Sequence, residues 1–531
     1  MKRTVKADVI VTFVVILLTI VGTIKNITVQ PVYMLIATVI GSLVMMSLFI
    51  VGTKKINTED VLDEPYVISD DRIFFIAGWI AMFLVWIPCY LAYYPVLFNY
   101  DVLNQYTQII TGEYNQHHPI IHTLLCQLFL TIGNKMNNVN RGFALYSIFQ
   151  MICLSGALTY GVLFLRKMNI RRWIVNVVYI WCALFLMHPI FALSITKDTM
   201  FSVFALMAFL LILQFGQNQD VSMSGRFFSD LGLFISLSGM ILFRNNAKYA
   251  VAIYIVVLLV IAIKLKRYWK LLLISMLSLV SAMVVDTSVS RYLNATPGNM
   301  REMLCVPMQQ VARVYDYHQD ELLEKLNADD IDLLYRCCSK EFLEQYHPEY
   351  ADYVKIGVNS DTIKNNKVDV FKLYLKIGSK YPMEYVRAFG DLTQGYWYLG
   401  DVSHAHIYDG WADRQGYLLT DMKPMEEINV EHDTKFSFVE DLYERFATDN
   451  IQYRIPFVSI IFVPAFFIIL FVVSIINMKK SASNILAVTI TLAYFLTVLM
   501  GPGCVPRYSY SIIISSVFLA PVAFIKDRDN E

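Results

Sequence analysis

The chain has 531 residues, of which 56% are hydrophobic and 17% are charged, and its mean hydropathy is +0.49. This composition is typical of polytopic membrane proteins. Lysine plus arginine and aspartate plus glutamate number 44 each, so no charge excess favours nucleic acid or an acidic partner. The eight cysteines lack the spacing of a zinc site or a small disulfide scaffold, and we expect most of them to pack as small hydrophobic residues.

Apolar segments recur along the chain, and a span needs roughly 20 mostly apolar residues. About 12 segments meet or nearly meet this test. They are residues 8–25, 31–51, 73–96, 142–165, 173–191, 199–215, 227–243, 247–263, 271–288, 454–477, 484–500 and 508–525. The first follows a basic start without a small-residue cleavage signature, so we interpret it as a retained signal anchor.

One apolar run, Pro119 to Gly133, is left out of the count because it is short and contains His122 and Gln127. It suits an interfacial or re-entrant helix at the outer surface. The positive-inside rule then places both termini and the basic clusters in the cytoplasm. These clusters are residues 1–6, 52–55, 166–172, 264–270, 478–480 and the C-terminal tail.

The polar loops therefore fall on the extracytoplasmic side, together with a long insertion whose helical patches include VYDYHQDELLEKLN and FVEDLYERFA. The sequence predicts an all-α polytopic membrane protein with about 12 transmembrane helices and external juxtamembrane helices. A mainly α-helical external domain precedes the last three spans. The predicted parts are a transmembrane hairpin and cytoplasmic loop (1–72), a transmembrane core (73–290) with an external loop (97–141), the external domain (291–453) and a three-span segment (454–531).

The external loop opens with a predicted amphipathic helix at the membrane interface. Asp101, Gln105 and Gln108 recur along one face, and Gly112 offers a stop. Asp101 also suits a helix cap, which is an equally good structural explanation.

Histidines follow this helix. His117 and His118 precede Pro119, which suits the first position of a second helix. His118 and His122 are one turn apart and would hold a metal with Asp101, but the glutamate and third ligand of a zincin motif are missing. Interfacial hydrogen bonding is the favoured interpretation.

Three cations lie at the outer ends of three spans: Lys197, Arg244 and Arg507. Arg244 lies between two closely spaced apolar runs, near the headgroup level, where arginine suits bidentate recognition of phosphate. Arg507 repeats this placement, so the pattern allows convergence on one anion. The alternative for Lys197 is a pair with its neighbour Asp198 or a role at the membrane boundary.

Gln309, Gln310 and Arg313 lie close together on a predicted helix after a span. They form either a polar helix face or a substrate contact, and the sequence favours neither strongly.

Taken in order, YDVLNQ, HHPIIHTLL, TKDTMF, FRNNAKYA and VPMQQVARV resemble the GT-C superfamily of polytopic glycosyltransferases. They are most similar to an uncharacterised bacterial membrane family related to it. The superfamily pattern has an aspartate in the first large external loop, a His-Pro element, a second acidic loop and a soluble external region. An extra N-terminal hairpin and a lysine beside the second acid depart from it, which leaves acceptor and metal dependence open.

The resemblance implies a cell-membrane glycosyltransferase that moves a sugar from a polyprenyl-phosphate-linked donor to a glycan or protein acceptor of the cell envelope. Asp101 would be the base or a metal-bound carboxylate, with Asp198 as a second catalytic acid. A divalent cation stays open as a cofactor. The expected binding residues for phosphate and substrate are Lys197, Arg244, Arg507, His117, His118, Gln105, Gln309, Gln310 and Arg313.

A transporter or flippase of lipid-linked glycans is the alternative from another class. It would carry polar residues and broken helices near the middle of its spans. Asp230 and Asp286 lie nearer the span ends, which favours the enzyme. A polysaccharide polymerase shares the external loops and arginines, and the sequence separates it poorly from a transferase.

Overall fold

The computed structural model describes residues 2–26, 32–33, 35–36, 38–43, 70–98, 100–215, 223–401, 430, 433–447 and 458–523. Within these residues the regular structure is helical, with four isolated β-bridges in the loops. The all-α class predicted from the sequence is confirmed. All eight cysteines are free, seven of them buried and Cys153 half-buried, as their scattered spacing indicated.

The N-terminal two-thirds of the membrane region contains eleven described helices, with parts of residues 32–43 also helical. They are α1 (Lys2–Lys25), α2 (Asp71–Ala92), α3 (Tyr100–Thr111), α4 (Ile120–Lys135), α5 (Val139–Lys167), α6 (Arg172–Leu184), α7 (Met187–Leu193), α8 (Lys197–Phe215), α9 (Met223–Phe243), α10 (Ala247–Leu265) and α11 (Trp269–Tyr292).

We keep the names external region (residues 291–453) and external loop (residues 97–141) from the sequence prediction. The external region and the C-terminal part of the chain supply the remaining described helices. They are α12 (Cys305–Lys325), α13 (Ala328–Cys337), α14 (Lys340–Leu343), α15 (Asp352–Ile356), α16 (Ser360–Asn365), α17 (Lys367–Lys380), α18 (Pro382–Leu392), α19 (Ser437–Ala447), α20 (Pro464–Asn477), α21 (Ala482–Val498) and α22 (Pro506–Ala523), with short 3₁₀ turns at Met300–Met303, Gln394–Tyr396 and Ser459–Phe462.

Six of the described helices are long and apolar enough to cross a membrane: α2, α5, α8, α9, α10 and α11. A seventh candidate is the pair α6 and α7, which passes the test as one span bent by 47°. These helices define a multi-pass membrane protein. The predicted span 31–51 lies mostly outside the described residues, as do the basic cluster at 52–55 and the C-terminal tail.

The centre of the bundle is α8, which packs against α5, α9, α21 and α22. Its side chains are apolar all round and nearly all buried, as expected of a helix enclosed by others. In contrast, α2, α10 and α11 expose large apolar side chains such as Ile76, Val256 and Leu273. These exposed faces suit contact with lipid tails.

The two helices of the external loop differ in part from the prediction. Helix α3 ends at Gly112, whose φ of 71° supplies the left-handed stop. Gln105 and Gln108 are buried along with Val102 and Tyr106, however, and the exposed side of the helix carries Asn104, Thr107 and Thr111. Helix α4 begins after Pro119, which occupies the N-cap and not the first helical position.

The external helices form a small second core around Tyr315, Leu322 and Ile377 on α12 and α17. This confirms a mainly helical region for the described part of residues 291–453. The region docks on the membrane helices through the loop before α22, where the backbone N–H of Ala351 donates to the carbonyl oxygen of Pro502 at 2.8 Å.

Glycines let α4 and α5 cross in close contact. A Cβ at Gly142 would lie 2.9 Å from the backbone of Gly133 and closer still to the carbonyl oxygen of Phe129. We expect Gly142→Ala to lower the free energy of unfolding by about 1–3 kcal/mol, because the helices must separate. Thermal unfolding in detergent measures this change. Gly390→Ala is the control, since a Cβ there has open space, and an equal loss in both variants would contradict the close packing.

Candidate functional site

The loop before α3 is held against the loop before α8 by a parallel β-bridge between Leu97 and Ser194. Its backbone hydrogen bonds measure 3.0 and 2.9 Å. Two buried side chains of α5 fix both loops, since Ser147 donates to the carbonyl oxygen of Pro95 at 2.8 Å and Gln150 donates to that of Ser194 at 2.7 Å. The bridge therefore brings the beginnings of α3 and α8 together.

Three predicted site residues meet at Asp101 on the first turn of α3. The ammonium group of Lys197, at the start of α8, forms an ion pair with Asp101 Oδ2. The guanidinium of Arg507, at the start of α22, donates to the same oxygen at 2.9 Å. His118 Nδ1 lies 3.9 Å from that oxygen and 3.5 Å from Lys197 Nζ. We refer to Asp101, Lys197, Arg507 and His118 as the Asp101 cluster.

The charges of this cluster follow from burial and pairing. Burial by itself would raise the pKa of Asp101, but the charges of Arg507, Lys197 and His118 lower the pKa well below its usual range. Burial lowers the pKa of His118 well below its usual range, against the opposing effect of Asp101. Asp101 is thus ionised and His118 neutral at pH 7. A carboxylate held by two cations is a weak proton acceptor.

A second ion pair lies beside the cluster. Asp198, fully buried on α8, pairs with the guanidinium of Arg244, and the hydroxyl of Thr196 donates to Asp198 Oδ2 at 3.2 Å. The guanidinium also faces the rings of Tyr508 and Tyr494, with centroid distances of 4.9 and 5.5 Å. Arg244 is therefore enclosed by protein groups and better placed to hold α9 against α8 than to receive a phosphate.

The structure places Lys197 and Asp198 in two different ion pairs. The alternative that these neighbours pair with each other is wrong, because each pairs with a residue from another element. The reason is helical geometry: successive residues at the start of α8 point in different directions and meet different neighbours.

His122 and Gln105 point away from the Asp101 cluster into the protein. Gln105 Nε2 lies 2.8 Å from His122 Nδ1, and His122 Nε2 lies 2.9 Å from the hydroxyl of Tyr146 on α5. The metal triad considered for Asp101, His118 and His122 therefore does not form. Over the described ranges, no group of three or more His, Cys, Asp or Glu side chains is placed to hold a metal ion.

The predicted substrate contacts on α12 make bonds within the external region. Gln309 donates to the carbonyl oxygen of His347. Gln310 donates to the carbonyl oxygen of Tyr385 at 3.1 Å and accepts from the hydroxyl of Tyr374 at 2.6 Å. These contacts correspond to the polar-face interpretation, and the structure does not bring either amide to Asp101.

Arg313 likewise belongs to a network of its own. It donates to Glu384 at 2.8 Å and to Asp391 at 2.6 Å, and Asp391 in turn lies 2.5 Å from the ammonium group of Lys25 at the end of α1. Nothing in the sequence indicates this link, except that Lys25 is a charge at the end of a predicted span.

His117 lies at the exposed side of the cluster. Its ring centroid is 4.5 Å from that of His118, and its Nδ1 is 4.0 Å from Oε1 of Glu302 in the external region. Glu302 was not among the predicted site residues, because nothing in its local sequence distinguishes it from the many acids around it.

The fold and the site define a polytopic α-helical membrane protein with acid–cation clusters gathered at one end of its bundle. The chain belongs to a family of unknown function, DUF6020, whose model matches residues 110–529. The match includes Lys197, Arg244 and Arg507 and begins within α3, after Asp101. No curated protein and no solved structure matches the chain.

The buried Asp198–Arg244 pair gives a direct test of this geometry. We expect Arg244→Leu to cost about 3–5 kcal/mol, because it leaves a fully buried carboxylate without its cation. The double variant Arg244→Leu with Asp198→Leu should recover part of that loss in thermal unfolding. Lys270→Met is the control, since its exposed pair with Asp230 is worth about 1 kcal/mol or less. Equal stability of the single and double variants would show that the pair does not form.

Proposed function

We propose that this protein is a GT-C-type membrane glycosyltransferase, which moves a sugar from a polyprenyl-phosphate-linked donor to a cell-envelope acceptor. The observation that carries the proposal is the meeting of Lys197 and Arg507 on one oxygen of Asp101. A phosphate oxygen, like a carboxylate oxygen, accepts charge-assisted hydrogen bonds from lysine and arginine. A lipid phosphate would therefore compete with Asp101 for these two cations.

The chemistry of sugar transfer from such a donor matches this arrangement. The acceptor oxygen forms a bond to the anomeric carbon, the bond from that carbon to the phosphate oxygen breaks, and the acceptor proton passes to a base. The departing polyprenyl phosphate gains negative charge during this step. Lys197 and Arg507 would stabilise that charge, and fixed cations do so without reorganising.

In this proposal Asp101 positions the two cations that bind the phosphate. It keeps Lys197 and Arg507 paired and in position before a donor binds, at a depth where unpaired cations would be costly. A bound phosphate then shares the cations with Asp101. Asp198, paired with Arg244, would stabilise the position of α8 next to the site without contacting the sugar.

The proposed topology has 12 spans, both termini in the cytoplasm and the Asp101 cluster on the extracytoplasmic side. It is supported by the gathering of the 97–119, 194–198, 244–246 and 501–507 loops at one end of the bundle. The basic residues Arg166 and Lys167 lie at the other end, each 3.6 Å from Asp71. This distribution follows the positive-inside rule.

A flippase of lipid-linked glycans is the second candidate, and one observation favours it. The α6–α7 span is bent by 47°, and beyond the bend buried His188 lies 2.6 Å from the hydroxyl of Tyr510 on α22. Broken helices with polar side chains occur in transporters. The sequence analysis treated 173–191 as one span and did not use Pro189, which removes a helical hydrogen bond at the bend. A polysaccharide polymerase would use the same cations as the transferase.

Dodecyl phosphate is a soluble probe for the proposed phosphate site. We expect Lys197→Met and Arg507→Gln each to weaken its binding by about tenfold or more, because each removes a charge-assisted hydrogen bond. Asp101→Asn should tighten binding by about tenfold, since it removes the competing anion. Isothermal titration of the purified protein measures these changes.

Lys270→Met, at the opposite end of the bundle, and dodecanol as an uncharged ligand are the controls. Unchanged binding in the Lys197→Met, Arg507→Gln double variant would refute the phosphate site. Release of polyprenyl phosphate from polyprenyl-phosphate hexoses would support the transferase. Passage of the intact donor across a liposome bilayer would support the flippase.

The topology makes a separate prediction for intact cells. A cysteine introduced by Glu113→Cys, in the exposed loop after α3, should react with a membrane-impermeant maleimide added outside. A cysteine introduced by Lys167→Cys should react only after permeabilisation, because it lies at the proposed cytoplasmic end. The opposite labelling pattern would reverse the orientation. The parent protein is the background control, since seven of its cysteines are buried.

A further inference from the structure

His117 is placed where an acceptor would enter the site. Its side chain is 36% exposed, whereas those of His118, Lys197 and Arg507 are 7–13% exposed. The adjacent His118 ring connects it to Asp101. The imidazole of His117 therefore lies between the buried cations and the water outside.

The loop that carries His117 is held in place on several sides. The backbone N–H of His117 donates to Asn115 Oδ1 at 3.1 Å. The backbone N–H of Gln116 donates to the carbonyl oxygen of Thr296 at 2.9 Å, and the N–H of Thr296 donates to that of Tyr114 at 2.9 Å. The side chain of Gln116 donates to Ser290 at 2.7 Å. This support fixes the imidazole relative to the end of α11.

The external region faces His117 with one carboxylate. Glu302 Oε1 lies 4.0 Å from His117 Nδ1, a distance that a small rotation of either side chain converts into a hydrogen bond. Glu302 is itself held by Lys355, whose ammonium group lies 2.8 Å from Oε2, and by Arg301 at 3.6 Å. A carboxylate beside one imidazole nitrogen orients the ring and leaves the other nitrogen to accept a proton.

We propose that His117 is the general base that removes the acceptor proton, and that Glu302 is the residue that positions it. The proposal rests on the glycosyltransferase function above and names the group that function requires. The acceptor hydroxyl attacks the anomeric carbon, the carbon–oxygen bond to the phosphate breaks, and the hydroxyl proton moves to Nε2 of His117. The imidazolium then returns the proton to water, so no further reactant is needed.

Charge favours His117 over Asp101 for this role. Asp101 is held by two cations and is a weak base. Burial lowers the pKa of His117, while Glu302 and Asp101 raise it and Lys197 and Lys355 lower it, and the net direction is downward. The imidazole is therefore neutral at pH 7 and able to accept a proton.

The alternative explanation is structural: His117 and Glu302 only hold the loop against the external region. The two explanations differ in their kinetics. A base contributes about 100-fold or more to kcat, and its protonation abolishes activity at low pH. A joining contact affects stability and leaves the pH dependence of kcat unchanged.

The test uses the purified full-length protein in lipid nanodiscs and a panel of polyprenyl-phosphate hexoses. Release of polyprenyl phosphate is measured with an envelope extract as acceptor, over the pH range in which histidine titrates. We expect His117→Gln to lose about 100-fold or more in kcat with little change in KM for the donor, and to lose the acidic limb of the pH profile. Added imidazole should restore part of the activity of His117→Ala, because the site is exposed.

Glu302→Gln is an independent test, because it should shift the pH profile of kcat in a predicted direction. Because the Glu302 carboxylate raises the pKa of His117, its loss should move the acidic limb of the kcat profile to lower pH. His318→Gln is the matched control, since His318 is 34% exposed and also lies beside carboxylates, and its profile should match wild type. Thermal unfolding midpoints and dodecyl phosphate affinities of all variants show whether each is folded.

Wild-type kcat and an unmoved acidic limb in both His117→Gln and Glu302→Gln would overturn this inference while leaving the glycosyltransferase intact. If His117→Gln does not fold, the direction of the shift in Glu302→Gln decides. A wild-type protein that binds dodecyl phosphate but releases no polyprenyl phosphate from any donor would overturn the proposed enzyme, and this inference with it.

Discussion

The arrangement of the helices in this protein depends on ion pairs that form where water has little access. Asp101 and Asp198 lie at the loop end of the helical bundle, where an ionised carboxylate without a cation would be costly. Their partners come from the starts or ends of other helices. Satisfying these few charges therefore fixes α3, α8 and α22 relative to one another, with Arg244 adding the end of α9.

The same constraint underlies the proposed binding of an anionic substrate. Lys197 and Arg507 come from helices far apart in the chain, and both pair with the same carboxylate oxygen of Asp101. A phosphate group would provide equivalent oxygens. In the proposed function, Asp101 would stabilise the empty site and moderate the affinity of the filled one.

Seven of the 12 predicted spans, from 73–96 to 271–288, match the six long apolar helices and the bent α6–α7 pair, because apolar runs and the polar breaks between them are local features. The breaks at Asp101, Lys197 and Arg507 were visible for this reason. Their pairing was not, since it depends on which helix ends become neighbours. Gln105 and His122 show the same limit. Each is a polar residue near a predicted interface, yet the packing of α3, α4 and α5 buries both in an internal hydrogen-bonded chain that ends at Tyr146. The bend between α6 and α7 did have a local signal, because Pro189 has no N–H to donate to the carbonyl oxygen of Phe185, where the helix breaks.

The distance along the chain between the partners in the Asp101 cluster has a consequence for biogenesis. Asp101 and Arg507 are 406 residues apart. During synthesis Asp101 and Lys197 leave the ribosome early and can pair, but the arginine joins them only after residues 291–453 have been synthesised and α22 has inserted. Nascent chains that stall before this point would carry the acid and the lysine without the arginine, so the proposed phosphate site would be completed at the last stage of membrane insertion.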